Sequence, residues 1–232
     1  KESGSTISFA AVSLTTLIDS PVLAALHLRK IDLSPNSSVK HTLDIGCESE
    51  EGLNISEQQI TAYQNLAAET NMLFGAHHYN HYDFLYTLSD YVAHFGLEHH
   101  ESSDDRVAER TLIDHDLFKT SADLLSHEFV HSWNGKFRRP SGLATGDYSS
   151  PMKGDLLWVY EGLTQYLGKI LAARSGLRTK DEYFEDQAYL AASLNSRPGR
   201  TWRNLQDTGD EAQLLYYTRG DWDRWRRGVD YY

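Results

Sequence analysis

The stretch Ser126–Asn134, which reads Ser-His-Glu-Phe-Val-His-Ser-Trp-Asn, contains the pattern His-Glu-x-x-His in a helical context. On an α-helix, His127 and His131 are separated by about 400° of rotation, so both imidazoles leave the same face and can bind one metal ion. Glu128 lies beside the first histidine and can reach a water on that metal without being a ligand. This spacing is typical of zinc hydrolases that cut amide bonds. A chance match is the alternative, since the chain has 11 histidines.

Glu161 is the candidate third ligand of this metal. A catalytic zinc site uses three protein ligands and keeps an open position for water. Glu161 lies in the middle of the mostly apolar run 155–165, where a carboxylate is costly unless it is paired or bound to a metal. An exposed glutamate on an amphipathic helix would also fit the pattern. Together, His127, His131 and Glu161 predict a catalytic site for one Zn²⁺ ion.

Three segments resemble the glycyl aminopeptidase family of metallopeptidases. They are His127–Asn134, the Arg-Arg-Pro at 138–140, and the Leu-Leu-Trp-Val-Tyr-Glu-Gly at 156–162, with 30 residues from His131 to Glu161. This family is part of the wider gluzincin group, together with thermolysin and aminopeptidase N. The resemblance extends over most of the chain, from about Val12 to Tyr232.

The resemblance also implies a fold. It indicates an α+β, thermolysin-like catalytic domain in which a mostly antiparallel sheet is followed by a helical half, with the metal between them. Residues 1–40 are expected to be the tail and linker of a β-rich domain, and residues 41–232 a thermolysin-like zinc peptidase domain truncated at its C-terminal side. The apolar pattern of residues 221–232 predicts a helix that ends without a capping residue. Such an end is expected of a piece excised from a longer protein.

A substrate-binding strand is predicted from Phe95–Ser102, which resembles the Gly-Gly-Leu-Glu-His stretch of the family. In related enzymes the peptide lies along this edge strand, and the resemblance implies that Gly96 and Glu98 bind substrate. A carboxylate at Glu98 would pair with the α-ammonium group and restrict cleavage to the first peptide bond. Phe95 stands where the family has its first glycine. A surface glutamate on an edge strand is the alternative interpretation.

The resemblance assigns a catalytic hydroxyl near the end of the chain. Val229–Tyr232 resembles a family stretch in which the second tyrosine corresponds to a catalytic residue of related aminopeptidases. Tyr232 is therefore predicted to stabilise the oxyanion, with Tyr231 as the second choice. A plain core aromatic is the alternative, because the chain has 14 tyrosines.

Local patterns predict most other elements. Ser56 is the expected N-cap of a helix over 57–73, and Thr179 or Asp181 begins one over 179–194. Thr120 or Ser121 is expected to cap the helix that carries His127 and His131. The remaining predictions are strands or extended segments at 6–13, 21–31, 41–48, 82–92 and 214–217, a charged loop at 104–116, a helix from Pro151 to Ser175, and a loop at 197–209.

Two further polar features are less specific. His77, His78 and His81 cluster around one turn, but no cysteine is near and Asp83 is the only close carboxylate, so a structural role is favoured over a second metal. Gln165, one turn after Glu161, could support a metal ligand or face solvent.

Composition limits the function classes. The chain has 232 residues, of which 40% are hydrophobic, as expected of a globular protein with a core. The net charge of −11 argues against nucleic acid as a partner. Cys47 is the single cysteine and excludes an internal disulfide, and no apolar run reaches the length of a membrane span. The sequence begins at Lys1 without a targeting pattern, and the family resemblance alone favours a bacterial periplasmic or secreted location.

Three functions remain open from the sequence. The first is a zinc aminopeptidase that acts on peptides with a free N-terminus, and the resemblance implies a preference for small residues such as Gly or Ala. The second is a zinc endopeptidase of the same group, for which Glu98 would be dispensable. The third is a non-catalytic peptide-binding module, against which the intact Glu128 argues. Glu128 is the predicted general base in either enzyme.

Overall fold

The computed structural model describes residues 2–3, 6–196, 201–212 and 231–232. The elements there are β1 (Glu2–Ser3), β2 (Thr6–Ile7), α1 (Leu14–Ile18), β3 (His27–Asp32), β4 (Lys40–Cys47), α2 (Glu57–Phe74), β5 (His81–Leu88), β6 (Phe95–Glu98), β7 (Ser102–Val107), α3 (His115–Ser121), α4 (Leu124–His131), α5 (Leu163–Ser175), α6 (Lys180–Asn195) and α7 (Leu205–Asp210). Short 3₁₀-helices lie at Glu51–Leu53 and Gly154–Leu156, and a π-helix lies at Trp158–Gly162. The extended run predicted at 214–217 and most of the helix predicted at 221–232 fall outside the described residues.

Strands β3 to β7 form one five-stranded sheet in the order β3-β4-β5-β7-β6. The outer pairs are antiparallel, whereas β4 with β5 and β5 with β7 are parallel. The sheet is therefore mixed, and the prediction of a mostly antiparallel sheet is wrong. Parallel neighbours need a crossover connection, which α2 provides between β4 and β5. The broader prediction of an α+β architecture is confirmed.

Strand β3 lies in the same sheet as β4, although it precedes the predicted domain boundary at residue 40. Its register pairs Ile31 with Leu43 across the antiparallel ladder. The division into 1–40 and 41–232 stays a prediction. Of the strand or extended segment predicted at 6–13, residues 6–7 form a strand, and residues 14–18 form the short helix α1, which Ser13 caps.

The core lies between the sheet and helices α2, α4 and α5. Alternate residues of β5 are buried, as expected of a central strand with one face against helices. Phe129 of α4 packs on this face, with ring centroids 4.5 Å from Tyr82 and 5.0 Å from Phe84. Helix α4 is therefore held directly on the middle strand of the sheet.

Several helix ends agree with their sequence signals. Ser56 and Gln59 form a capping box at the start of α2, and Gly75 ends that helix in the left-handed conformation. Thr179 forms a second capping box with Glu182 at the start of α6. The predicted helices at 57–73 and 179–194 are thus confirmed to within a residue at the ends.

Three local predictions are wrong for identifiable reasons. The charged loop predicted at 104–116 begins with strand β7, whose polar side chains pair in part with one another. Arg106 forms a bidentate pair with Asp104, and Ser103 donates a hydrogen bond of 2.6 Å to Asp105 Oδ2, whereas Asp105 Oδ1 is buried without a hydrogen-bond partner among the described residues. Burial raises the pKa of Asp105 to about 8.

Asp123, rather than Thr120 or Ser121, occupies the N-cap position of α4.

The third error concerns the segment that carries Glu161. A single helix from Pro151 to Ser175 was expected, but a 3₁₀-turn, a π-helix and then α5 follow one another there. Wider π-turns are frequent at functional sites. Glu161 lies inside the π-turn, and α5 ends at Gly176 in the left-handed conformation as predicted. The loop predicted at 197–209 is likewise interrupted by α7.

None of the helices in the described part of the chain combines the length and the apolar character that a bilayer crossing needs.

Candidate metal centre and substrate cleft

Helix α4 places the two histidines in the protein interior. Residues 125–131 are all buried, and the helix packs along α5 and against β6 and β7. Ser126 Oγ donates a hydrogen bond of 2.8 Å to the carbonyl of Gly168 in α5. A Cβ at Gly168 would lie 3.0 Å from the Cα of His127, so the glycine allows the two helix backbones to approach closely.

The two imidazoles approach each other through Nε2. The distance between His127 Nε2 and His131 Nε2 is 3.1 Å. The backbone carbonyl of Asn134 lies 3.1 Å from His131 Nδ1, and because a carbonyl can only accept, Nδ1 carries the proton. The Nε2 atom of His131 therefore presents its lone pair towards His127 and is available to a metal.

Glu161 lies opposite the imidazoles. Its Oε2 is 3.4 Å from His127 Nε2 and 3.3 Å from His131 Nε2. The same oxygen is buried and has no hydrogen-bond partner of good geometry among the described residues. Burial raises the pKa of Glu161, but the two imidazoles outweigh it and lower the pKa to about 2. The carboxylate is thus ionised at neutral pH, next to two nitrogen donors.

These donor distances fit a tetrahedral metal ion. With metal–ligand bonds of about 2.0–2.2 Å, ligand atoms of a tetrahedral zinc site lie about 3.3–3.6 Å apart. The two separations from Glu161 to the histidines, 3.4 and 3.3 Å, lie in this range, and the separation between His127 and His131, 3.1 Å, is slightly shorter. Glu128 also offers an oxygen within 4.8 Å of the histidine donors. The donor set and its spacing therefore suit zinc, with Glu128 beside the ligands.

Asn134 orients two of the candidate metal donors, a role that the sequence analysis did not predict. Its side-chain Nδ2 donates to the carbonyls of Val159 and Tyr160 at 2.8 and 3.3 Å, and lies 3.0 Å from Thr164 Oγ1. These carbonyls belong to the π-turn that carries Glu161. Asn134 thus fixes the third donor from its side chain and His131 from its own carbonyl. Its position three residues after His131 was the available signal.

Replacing Asn134 with alanine is expected to lower zinc affinity about 10- to 100-fold, the usual cost of losing a group that orients a metal ligand. The physical reason is that the π-turn loses the donors that hold its carbonyls in place. Zinc affinity measured by competition with a chromophoric chelator checks this. Asn71→Ala, on the exposed side of α2, is the matched control and should bind zinc like the wild type. Equal affinities for the two variants would contradict the role of Asn134.

Glu128 is buried in a strongly acidic environment. Burial raises its pKa well above the usual carboxyl value, and the nearby Asp105, Glu98 and Glu161 raise it further, while Lys136 opposes them. The side chain lies directly against β6, because a Cβ added to Gly96 would be 2.1 Å from Glu128 Oε1. A carboxyl group with a raised pKa beside candidate metal donors can serve as a general base.

Glu98 lies at the end of edge strand β6, as predicted. Tyr160 Oη donates a hydrogen bond to Glu98 Oε1. The turn after Glu98 is held by Asp19, whose carboxylate accepts a 2.9 Å hydrogen bond from the His100 backbone N–H and lies 3.6 Å from Lys136 Nζ. Burial raises the pKa of Asp19, but the bonds from the two histidines of that turn and the charge of Lys136 lower it overall.

The two terminal tyrosines have different positions. Tyr232 lines the cleft, half-exposed, with its ring centroid 6.0 Å from that of His127. Tyr231 is buried, and its carbonyl lies against Gly162, where a Cβ would be 2.6 Å away. The cleft measures about 440 Å³ and is lined by His94, by residues of β6, β7, α3, α4 and α5, among them Gly96, His127, Glu128 and Gln165, and by Tyr232. Tyr232, rather than the buried Tyr231, therefore lines the cleft beside His127.

Gln165, His77 and His78 contact other side chains of the fold rather than the candidate metal donors. Gln165 Nε2 donates to Asp123 Oδ2 at 3.0 Å, and Arg178 forms an ion pair of 2.9 Å with the same carboxylate. Gln165 therefore links α5 to the start of α4 and does not contact a metal donor. In the described part of the chain, His77 and His78 join an aromatic cluster with Tyr79 rather than a group of metal ligands.

Comparison with known proteins agrees with this geometry. The family model of the M61 glycyl aminopeptidases matches residues 120–232, which contain the donor residues, Glu128, Asn134 and Tyr232. The match is confined to residues 120–232, slightly less than half of the chain. The resemblance inferred from the sequence is thereby confirmed over this region. A comparison with curated proteins gives no match.

A solved structure extends the likeness in fold to the N-terminal half. An aminopeptidase N family protein from Idiomarina loihiensis has a TM-score of 0.72 with 19% sequence identity, over 88% of this chain and 35% of that one. At this identity the likeness concerns the fold alone. The chain spans about a third of the length of that relative.

Proposed function

We propose that this chain carries the catalytic centre of a zinc-dependent aminopeptidase, which removes N-terminal residues from peptides. The observation that carries the proposal is the convergence of Glu98 and the donors of His127, His131 and Glu161 on one site. A metal centre alone would serve an endopeptidase equally well. A fixed carboxylate beside it adds a binding partner for a free α-ammonium group. The family match over 120–232 supports the same function.

We assign one Zn²⁺ ion to His127, His131 and Glu161. When bound, zinc lowers the pKa of a water molecule and polarises the scissile carbonyl. The protein supplies the other steps. Glu128 takes the proton of the attacking water and passes it to the leaving amine. The Tyr232 hydroxyl donates a hydrogen bond to the oxyanion that develops on the carbonyl, and Glu98 holds the substrate ammonium while Gly96 lies along the peptide.

The finer features of the family are part of the same proposal. They are a thermolysin-like catalytic domain over residues 41–232, a preceding segment that forms the end of a β-rich domain, and a preference for small N-terminal residues such as Gly or Ala. The cleft of about 440 Å³ is compatible with a short side chain at the cleaved residue. Support for the size preference comes only from the family match.

The test compares free and blocked substrates. Hydrolysis of Gly- and Ala-p-nitroanilide is measured beside their N-acetylated forms, with the full-length protein, before and after removal of the metal by a chelator and after restoration with zinc. Cleavage of only the free-amine substrates, abolished by the chelator and restored by zinc, is the expected result. The negative control is the same protein without its metal.

Two other outcomes would each favour a different function. Cleavage of the acetylated substrates at comparable kcat/KM would point to an endopeptidase, in which Glu98 has no binding role. A full-length protein that binds zinc with these donors and turns over none of the four substrates would contradict the proposal and favour a peptide-binding module.

A further inference from the structure

Tyr160 lies between the metal donors and the candidate amine-binding carboxylate. Its hydroxyl donates to Glu98 Oε1, and its ring centroid is 4.7 Å from that of His131. The side chain is buried, with 8% exposure. Tyr160 immediately precedes Glu161 in the π-turn, so one short segment supplies both a metal donor and a partner for Glu98.

The ring of Tyr160 has little freedom to leave this position. Gly135 packs against it, and a Cβ at Gly135 would be 2.9 Å from ring atoms Cε2 and Cζ and 3.0 Å from the hydroxyl. Gly135 also has a φ of +149°, which favours glycine. On the backbone side, Asn134 Nδ2 donates to the carbonyl of Tyr160 at 3.3 Å. The tyrosine is thus enclosed by His131, Gly135 and the π-turn, and its hydroxyl is directed at Glu98.

From this geometry we propose that Tyr160 is a positioning residue that sets the selectivity for a free amino terminus, by fixing the carboxylate of Glu98 relative to the metal donors. The inference rests on the proposed function and deepens it. The hydroxyl occupies one carboxylate oxygen and leaves the other for the substrate ammonium. Because Tyr160 also packs on His131, the distance from the ammonium site to the metal is set by a rigid side chain rather than by a mobile surface glutamate.

This arrangement has a consequence for cleavage. An enzyme that removes one residue must hold the ammonium group at a defined distance from the attacked carbonyl. Edge strand β6 is four residues long and pairs on one side only, so its end alone would position Glu98 loosely. The bond from Tyr160 ties that end to the segment bearing Glu161. The amine site and the metal site are thereby coupled through one residue.

The test is Tyr160→Phe, which removes the hydroxyl and keeps the ring against His131. We expect KM for Gly-p-nitroanilide to rise about ten-fold with kcat within about two-fold, since a charge-assisted hydrogen bond is lost from the binding site only. In the Glu98→Gln background the same change should have little further effect, which makes a double-mutant cycle informative. Tyr166→Phe, at an exposed position of α5, is the matched control and should keep wild-type KM.

A binding measurement separates this inference from the proposed function. In the Glu128→Gln background, calorimetry with glycinamide and N-acetylglycinamide needs no turnover. Tyr160→Phe should weaken glycinamide about ten-fold and leave N-acetylglycinamide unchanged. Equal weakening of both ligands, a full effect in the Glu98→Gln background, or loss of bound zinc would show a merely structural role and overturn the inference. An inactive wild type that still shows the expected binding pattern would defeat the aminopeptidase proposal and leave the role of Tyr160 intact.

Discussion

Replacement of Glu128 by glutamine is expected to lower kcat at least 10²- to 10⁴-fold towards Gly-p-nitroanilide, while one zinc ion stays bound. Glutamine has nearly the same shape but cannot accept the proton of the attacking water. The donors of His127, His131 and Glu161 are untouched, so metal content should equal that of the wild type. Rates are measured under saturating substrate, and zinc is measured by elemental analysis of the same samples.

A second expectation distinguishes loss of the base from loss of the fold. Burial and three neighbouring carboxyl groups raise the pKa of Glu128 in the folded protein, so its ionisation at neutral pH disfavours the folded state of metal-free protein. Removing that charge should leave the Tm of the metal-free variant equal to or above that of the wild type. Glu57→Gln, at an exposed position in the first turn of α2, is the matched control and should keep full activity. Substantial turnover by Glu128→Gln would contradict the assignment of the base.

The elements that sequence patterns predicted well are those with local signals. Helix α2 begins at a capping box and ends at a left-handed glycine, and both signals are readable without the fold. Strand β7 was missed because its Ser-Asp-Asp-Arg sequence has the composition of a loop. Several of its polar side chains bond one another, and its backbone pairs with β5 and β6, which the sequence pattern does not encode. The parallel pairing was missed for a similar reason, since pairing direction is set by the crossover through α2.

Some residues of the candidate site could likewise be identified from the sequence, and others only from the fold. His127, Glu128 and His131 occupy one helix turn, and Glu161 lies in an unusually apolar context, so sequence spacing could identify them. Tyr160 is adjacent to Glu161, but only the π-turn directs its hydroxyl to Glu98. Asp19 is more remote still. Its carboxylate reaches the turn after Glu98 from 81 residues away, a contact that no local pattern encodes.

Gly96→Ala is expected to cost about 10²-fold or more in kcat/KM, although the substitution adds a single methyl group at a residue that performs no chemistry. The Cβ of alanine would lie 2.1 Å from Glu128 Oε1, 2.6 Å from its Cδ and 2.8 Å from its Cγ. Either the base or strand β6 has to move to relieve these contacts. A displacement of about 1 Å in a catalytic group is sufficient for a 10²-fold loss.

Movement of strand β6 would also be costly, because of its register with β7. Gly96 pairs with Asp105 of β7, and a shift of the strand would move Glu98 together with it. We therefore expect loss of activity with zinc retained, measured as kcat/KM on Gly-p-nitroanilide and by metal analysis. Gly146→Ala is the matched control, because a Cβ there would meet nothing within 4 Å, and it should behave like the wild type. Near-normal kcat/KM in Gly96→Ala would mean that β6 does not pack against Glu128 in solution. The assignment of β6 as the strand that positions the catalytic base would then be wrong.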